Sequence, residues 1–142
     1  MKQAAALGLL LALSCGSSPR IPPEPTEWVT DTRKPYLLER ATGLSITAKL
    51  DSYYARSGHV VLVWIGDTTH GEAPDSYCMR LFNAWGVGRM GKDDGIVLFI
   101  FPDDDMRWIT VGYGLTYALT DREATHITRN VMAPLMREGR PD

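Results

Sequence analysis

The hydrophobic patterns of this 142-residue chain predict an α/β sandwich, a mixed β-sheet with helices on both faces. Two near-continuous β-branched runs, HVVLVWIG at 59–66 and GIVLFIF at 95–101, read as strands buried on both sides. A stretch of helical spacing lies between them, so a β-α-β crossover makes them parallel. The alternating WITVGYG at 108–114 follows a short turn and reads as an antiparallel return strand.

The elements follow in order. Residues 1–14 read as an export signal: Lys2 starts a short apolar run at 4–13 that is too brief to span a bilayer. LALSC at 11–15 resembles a bacterial lipobox, in which Cys15 receives lipid and becomes the mature N-terminus. The same residues also fit a small-x-small site for ordinary signal peptidase, and either enzyme cuts after Ser14. The expected location is extracytoplasmic: periplasm, or outer membrane or cell surface as a lipoprotein. Any membrane attachment then comes through the lipid. GSSPRIPPEPTE at 16–27, rich in proline and serine, completes a tether over 15–27, and 28–142 is the expected domain.

WVTD at 28–31 is a short strand or extended arm. Leu38, Ile46, Leu50 and Tyr53 share one helical face, and Gly58 ends that helix. APDSYCMRLFNAW at 73–85 carries Tyr77, Leu81 and Trp85 at helical spacing, with Asp75 or Ser76 as cap. Cys78 on this helix reads as a small buried hydrophobe, although a disulfide to an unacylated Cys15 is conceivable in an oxidising compartment. The last helix opens at TDRE, where Thr120 and Glu123 form a capping box. Its expected buried stripe is Ala124, Ile127, Val131 and Leu135, with Pro134 bending it or ending it early.

Composition excludes little beyond nucleic acid. A formal charge of −2 supplies no basic footprint. The stretch WGVGRMGKDDG at 85–95 contains a literal GxGxxG in Gly86, Gly88 and Gly91. A dinucleotide loop follows a strand and opens a helix. Here the glycines follow a helix and precede a strand, so that reading fails. What remains is a glycine-rich helix exit followed by Asp93, Asp94 and Gly95.

Topology puts this exit on the same sheet edge as the turn after 108–114, with Gly112, Tyr113, Gly114 and Asp121. Asp31 is expected to be brought there as well. Carboxylates converging without basic neighbours suit a hard divalent cation, whereas alone each fits a solvated turn or a helix first turn. GDTTHGE at 66–72 and Asp103–Asp105 fall on the opposite edge. Asp67, His70, Glu72 and Asp75 could assemble a lesser metal site, but a polar loop and a solvated turn are the expected readings. His59 and His126 show no partner in the sequence, and no Ser/His/Asp nucleophile arrangement can be argued.

Five segments, WVTD, SGHVVLVWIG, FNAWGVGRMGKDDGIVLFIF, MRWITVGYGL and TDREATHITRNVMAPLMREG, occur in the order seen in the TPM domain family, which the chain resembles from residue 28 onward. That resemblance implies a Rossmann-like αβα sandwich and an acidic site binding Ca²⁺ or a related cation. Carried over by position, the ligands are Asp31, Asp93, Asp94 and Asp121, with Gly95, Gly112, Tyr113 and Gly114 shaping the loop. It also implies one of two roles. The first is a Ca²⁺-binding module that assists an envelope or membrane protein complex. The second is a metal-dependent acid phosphatase acting on phosphomonoesters. Relatives usually continue past the REG helix, and the segment after Asp31 is about two residues longer than the family pattern.

Overall fold

The computed structural model describes residues 20–139. The leader, Cys15 and residues 16–19 of the tether therefore lie outside the described residues. Four strands, β1 (Val29–Asp31), β2 (Val60–Ile65), β3 (Gly95–Phe101) and β4 (Met106–Val111), lie side by side in chain order. The first three are parallel and the fourth is antiparallel to β3. Helix α1 (Arg40–Ser57) joins β1 to β2, and α2 (Pro74–Trp85) joins β2 to β3. After β4 the chain runs through α3 (Asp121–His126) and a π-helical stretch (Ile127–Met132) into α4 (Ala133–Arg137).

The sheet has two unlike faces. On one, α2 buries Tyr77, Cys78, Leu81, Phe82 and Trp85 against Leu62, Trp64, Phe99 and Phe101. Trp64, Trp85, Phe99 and Phe101 form a continuous aromatic cluster, with ring centroids 5.7–6.2 Å apart. Such pairs add to the area term that dominates core stability. On the other face Val63, Ile65 and Ile100 meet Ile46 and Leu50 of α1 and Met132 and Met136 of the C-terminal helix. The mixed sheet covered on both faces is the architecture that the alternating patterns predict.

Details depart from the sequence reading where tertiary contacts compete with local signals. Helix α2 starts at Pro74 with Ala73 as N-cap and no side-chain cap, so Asp75 sits in the first turn and neither it nor Ser76 is the cap. Tyr53 is not in the stripe: it is partly exposed, and its hydroxyl lies 3.3 Å from the His59 ring, the partner that the sequence did not show. The return strand spans Met106–Val111, and the GYG segment leaves it to form a single tight turn at Tyr113–Leu115.

The capping box at Thr120 and Glu123 forms as expected. Further along, the buried stripe passes through Ala124, Thr128, Met132, Ala133 and Met136, while Val131 is exposed. The cause is a widened turn in which the Ala133 N–H bonds the Thr128 carbonyl, five residues back. Pro134, which has no N–H to donate, follows at once. The helix continues through it instead of ending.

Cys78 is fully buried, and burial pushes its thiol pKa well above the ordinary value. Iodoacetamide is therefore expected to leave Cys78 unlabelled in the folded protein and to label it in urea. Mass spectrometry checks this, and rapid native labelling would contradict the packing.

Candidate functional site

The parallel strands give the sheet two rims. At the lower rim they begin, and at the upper rim they end. The 86–94 loop and the 112–120 segment belong to the lower rim, because Gly95 opposes Val60 and Ile96 opposes Val111.

At the lower rim the three glycines of GxGxxG adopt left-handed backbone, with φ of 60°, 107° and 75° at Gly86, Gly88 and Gly91. They coil the loop tightly around one carboxylate. Asp94 is 4% exposed, and one of its oxygens accepts the Arg89 backbone N–H at 2.8 Å. The other accepts Arg89 Nε at 2.6 Å and also pairs with Nη2. This Arg89 guanidinium, with backbone help, holds the Asp94 carboxyl below the usual carboxylate range against the opposing effect of burial.

Asp94 is thus the internal anchor of its own loop. The Arg89 guanidinium is in turn taken up by this pairing. Asp93 contributes its backbone: the Asp93 carbonyl accepts the Gly114 N–H at 3.0 Å, and the Gly95 carbonyl accepts the Gly112 N–H at 2.7 Å. Gly95, Gly112 and Gly114 allow this close approach. A Cβ on Gly95 would meet the Val87 carbonyl, on Gly112 that of Asp93, and on Gly114 that of Lys92. Tyr113 points out, 86% exposed. Asp121 lies apart, at the first turn of α3 along a groove of about 760 Å³ between β4, α2 and the C-terminal helix.

Asp31 is at the other rim. Strand β1 is parallel to β2, with Asp31 opposite Ile65, so it ends where β2 and β3 end. Its carboxylate accepts the backbone N–H groups of Arg33, Leu37 and Leu38 at 3.0, 2.6 and 3.3 Å, which folds the connection into α1. The four aspartates expected around one cation therefore do not converge. Among the described residues, no three His, Cys, Asp or Glu side chains gather in a way that could hold a metal ion.

Where the sequence predicts a polar loop and a solvated turn, the upper rim carries a constellation of charged side chains. Arg33 Nε bonds Asp67 Oδ1 at 3.1 Å and Arg33 Nη2 bonds Asp103 Oδ1 at 2.8 Å. One guanidinium thereby joins the connections that follow β1, β2 and β3. Asp104 fastens the same loops: Thr68 Oγ1 donates to its carboxylate at 2.8–2.9 Å and the Thr69 N–H at 2.7 Å. These donors, the Thr69 amide first, lower the Asp104 pKa. Glu72 is held by Arg80 at 2.7 Å, so the Asp67–His70–Glu72–Asp75 set is dispersed. Asp67 and Asp103 stay mostly exposed, with side chains 62% and 53% accessible.

One signal for this rim was present in the sequence. The β-α-β rule that orients β2 and β3 applies equally to β1-α1-β2, and it puts residue 31 beside 66–72 and 102–105. In open α/β sheets, ligands bind at the carboxyl ends of the strands.

A mixed four-stranded sheet with helices on both faces, three of its strands parallel and the fourth antiparallel, defines the α/β sandwich class. The sequence profile of the TPM domain matches residues 32–142, and the chain belongs to that family. The fold is that of the N-terminal domain of a protein from P. gingivalis, solved by solution NMR. That structure aligns with a TM-score of 0.73 at 24% identity, over 82% of this chain and 73% of that one. The N-terminal domain of the cg2496 protein from Corynebacterium glutamicum is also similar. Its TM-score is 0.60 at 18% identity, covering 82% of this chain and 71% of that one. No curated protein matches.

Proposed function

We propose that this TPM domain is an exported, membrane-tethered binding module that takes up Ca²⁺ or a related cation at its upper rim. From there it serves an envelope or membrane protein complex. The observation that carries the cation reading is the sharing of one guanidinium between Asp67 and Asp103. Two exposed carboxylates from separate loops already converge on a positive charge. A hard divalent ion supplies more charge to the same oxygens and accepts water and backbone carbonyls to complete its shell. Binding would release Arg33, so the guanidinium competes with the ion. Asp31, saturated by backbone donors, shapes the loop and does not ligate. The resemblance to TPM domains supports the export and complex-assisting part of the reading, and no helix among the described residues is long and apolar enough to cross a membrane.

Thermal unfolding with and without Ca²⁺ tests the cation site. A ligand at a hundred times its Kd stabilises by about 2.7 kcal/mol, so wild type should gain several degrees at saturation. The gain should disappear in Asp67→Asn/Asp103→Asn and persist in Asp94→Asn. Removing the competing cation with Arg33→Gln should tighten Ca²⁺ binding at least about threefold, read by calorimetry. A shift that survives the double variant, or no shift at millimolar Ca²⁺, refutes the site. Ca²⁺-dependent hydrolysis of a phosphomonoester at about pH 5, lost in the double variant, would replace this reading with a metal-dependent acid phosphatase.

A further inference from the structure

We infer that the lower rim lies against the surface of a lipid bilayer, leaving the acidic upper rim facing away from it. The inference rests on the tethering part of the proposed function, and three observations lead to it.

The first is segregation of exposed apolar surface. Of the ten large apolar or aromatic side chains most exposed among the described residues, six belong to the lower rim: Ile21, Tyr53, Tyr54, Met90, Tyr113 and Tyr117. Met90 is 101% exposed and Tyr117 is 81% exposed. Tyr53 and Tyr54 are there because α1 ends at that rim, and Tyr54 packs on Trp28, just before β1, at 5.2 Å between ring centroids. The Asp93–Gly114 hydrogen bond joins the loops that carry Met90 and Tyr113.

The second is the route of the chain. The Trp85 indole, at the lower end of α2, donates to the Pro22 carbonyl at 3.0 Å, so the N-terminal arm leaves from this rim. Cys15 precedes Pro22 by seven residues, at most about 25 Å of extended chain. A lipid on Cys15 therefore keeps this rim close to the bilayer. The third is chemistry. Tyrosines with an apolar body and a polar tip suit the headgroup level, and Lys92 and Arg122 of the same rim supply cations for anionic headgroups. Asp93, Asp121 and Glu123 are also at this rim, so the contact is mainly interfacial burial of Met and Tyr and only weakly electrostatic.

Hydrogen exchange of the full chain with phosphatidylethanolamine–phosphatidylglycerol vesicles tests this. The expected result is exchange slowed about tenfold or more at 89–94 and 113–118 on vesicles, with 67–72 and 102–105 unchanged. The slowing should vanish in Met90→Glu/Tyr113→Glu/Tyr117→Glu, whose exposed positions leave the fold intact. A chain that floats with vesicles while both rims exchange as in buffer overturns the inference and leaves the anchor standing. Slowing that persists in Cys15→Ser supports the rim contact and shows that it does not depend on the lipid. Slowing retained in the triple variant overturns the inference.

Discussion

Asp94→Ala is expected to lower the stability of the domain by about 2–3 kcal/mol at neutral pH, measured by urea unfolding. The carboxylate is buried and satisfies both the Arg89 backbone N–H and its guanidinium. Alanine leaves that amide unpaired. The Arg89 side chain is 39% exposed and its guanidinium can turn to water, which keeps the loss below that of a fully buried pair. The sign with pH follows from the depressed carboxyl. Its contribution is complete above the unfolded carboxylate value of about 3.9 and is lost as pH falls through the lower folded value. Wild type and variant should therefore converge in strong acid. A gap that stays constant from neutral pH down to about pH 2 would show that the ion pair is not the source.

Gly114→Ala is expected to cost about 3 kcal/mol, with the loss concentrated in unfolding of the lower rim. An added methyl would collide with the Lys92 carbonyl, a backbone atom that cannot rotate away. Relief requires separating the 112–114 turn from the 86–94 loop, which breaks the Gly114–Asp93 hydrogen bond. Hydrogen exchange should show the amides of 112–115 opening first, while those of α1 keep wild-type protection. Gly43→Ala is the control. Nothing lies within 4 Å of a Cβ there, and alanine favours the helix by up to about 1 kcal/mol. If both variants lose the same stability, the close approach at Gly114 is not what holds the rim.

Much of the architecture was legible because it depends on local or nearest-neighbour rules. The runs at 59–66 and 95–101 are apolar on both faces and could only be interior strands. Gly58 and the Thr120–Glu123 box mark helix ends by backbone geometry and one side-chain bond. The site was less legible. Asp94 looked like a ligand because a carboxylate beside glycines suits both a metal loop and a self-anchored turn. Only the course of the Arg89 side chain separates the two. WVTD reads equally as a short strand or an extended arm, and only as a strand does the β-α-β rule turn Asp31 to the upper rim. Arg33 went unnoticed because its meaning depends on Asp67 and Asp103, 34 and 70 residues away.

The sequence by itself determined the α/β class, the positions of the strands and main helices, the membership of the chain in its family, and the failure of GxGxxG as a dinucleotide loop. Each of these depends on periodicity, on turn chemistry or on the order of elements along the chain. Only the tertiary structure decided which carboxylates meet which cations, that the Asp67–Asp103 pair lies at the rim opposite Met90, Tyr113 and Tyr117, and that the last helix widens before Pro134. Hydrogen bonds and ion pairs act over about 3 Å, and at that range partners are chosen by packing and not by distance along the chain.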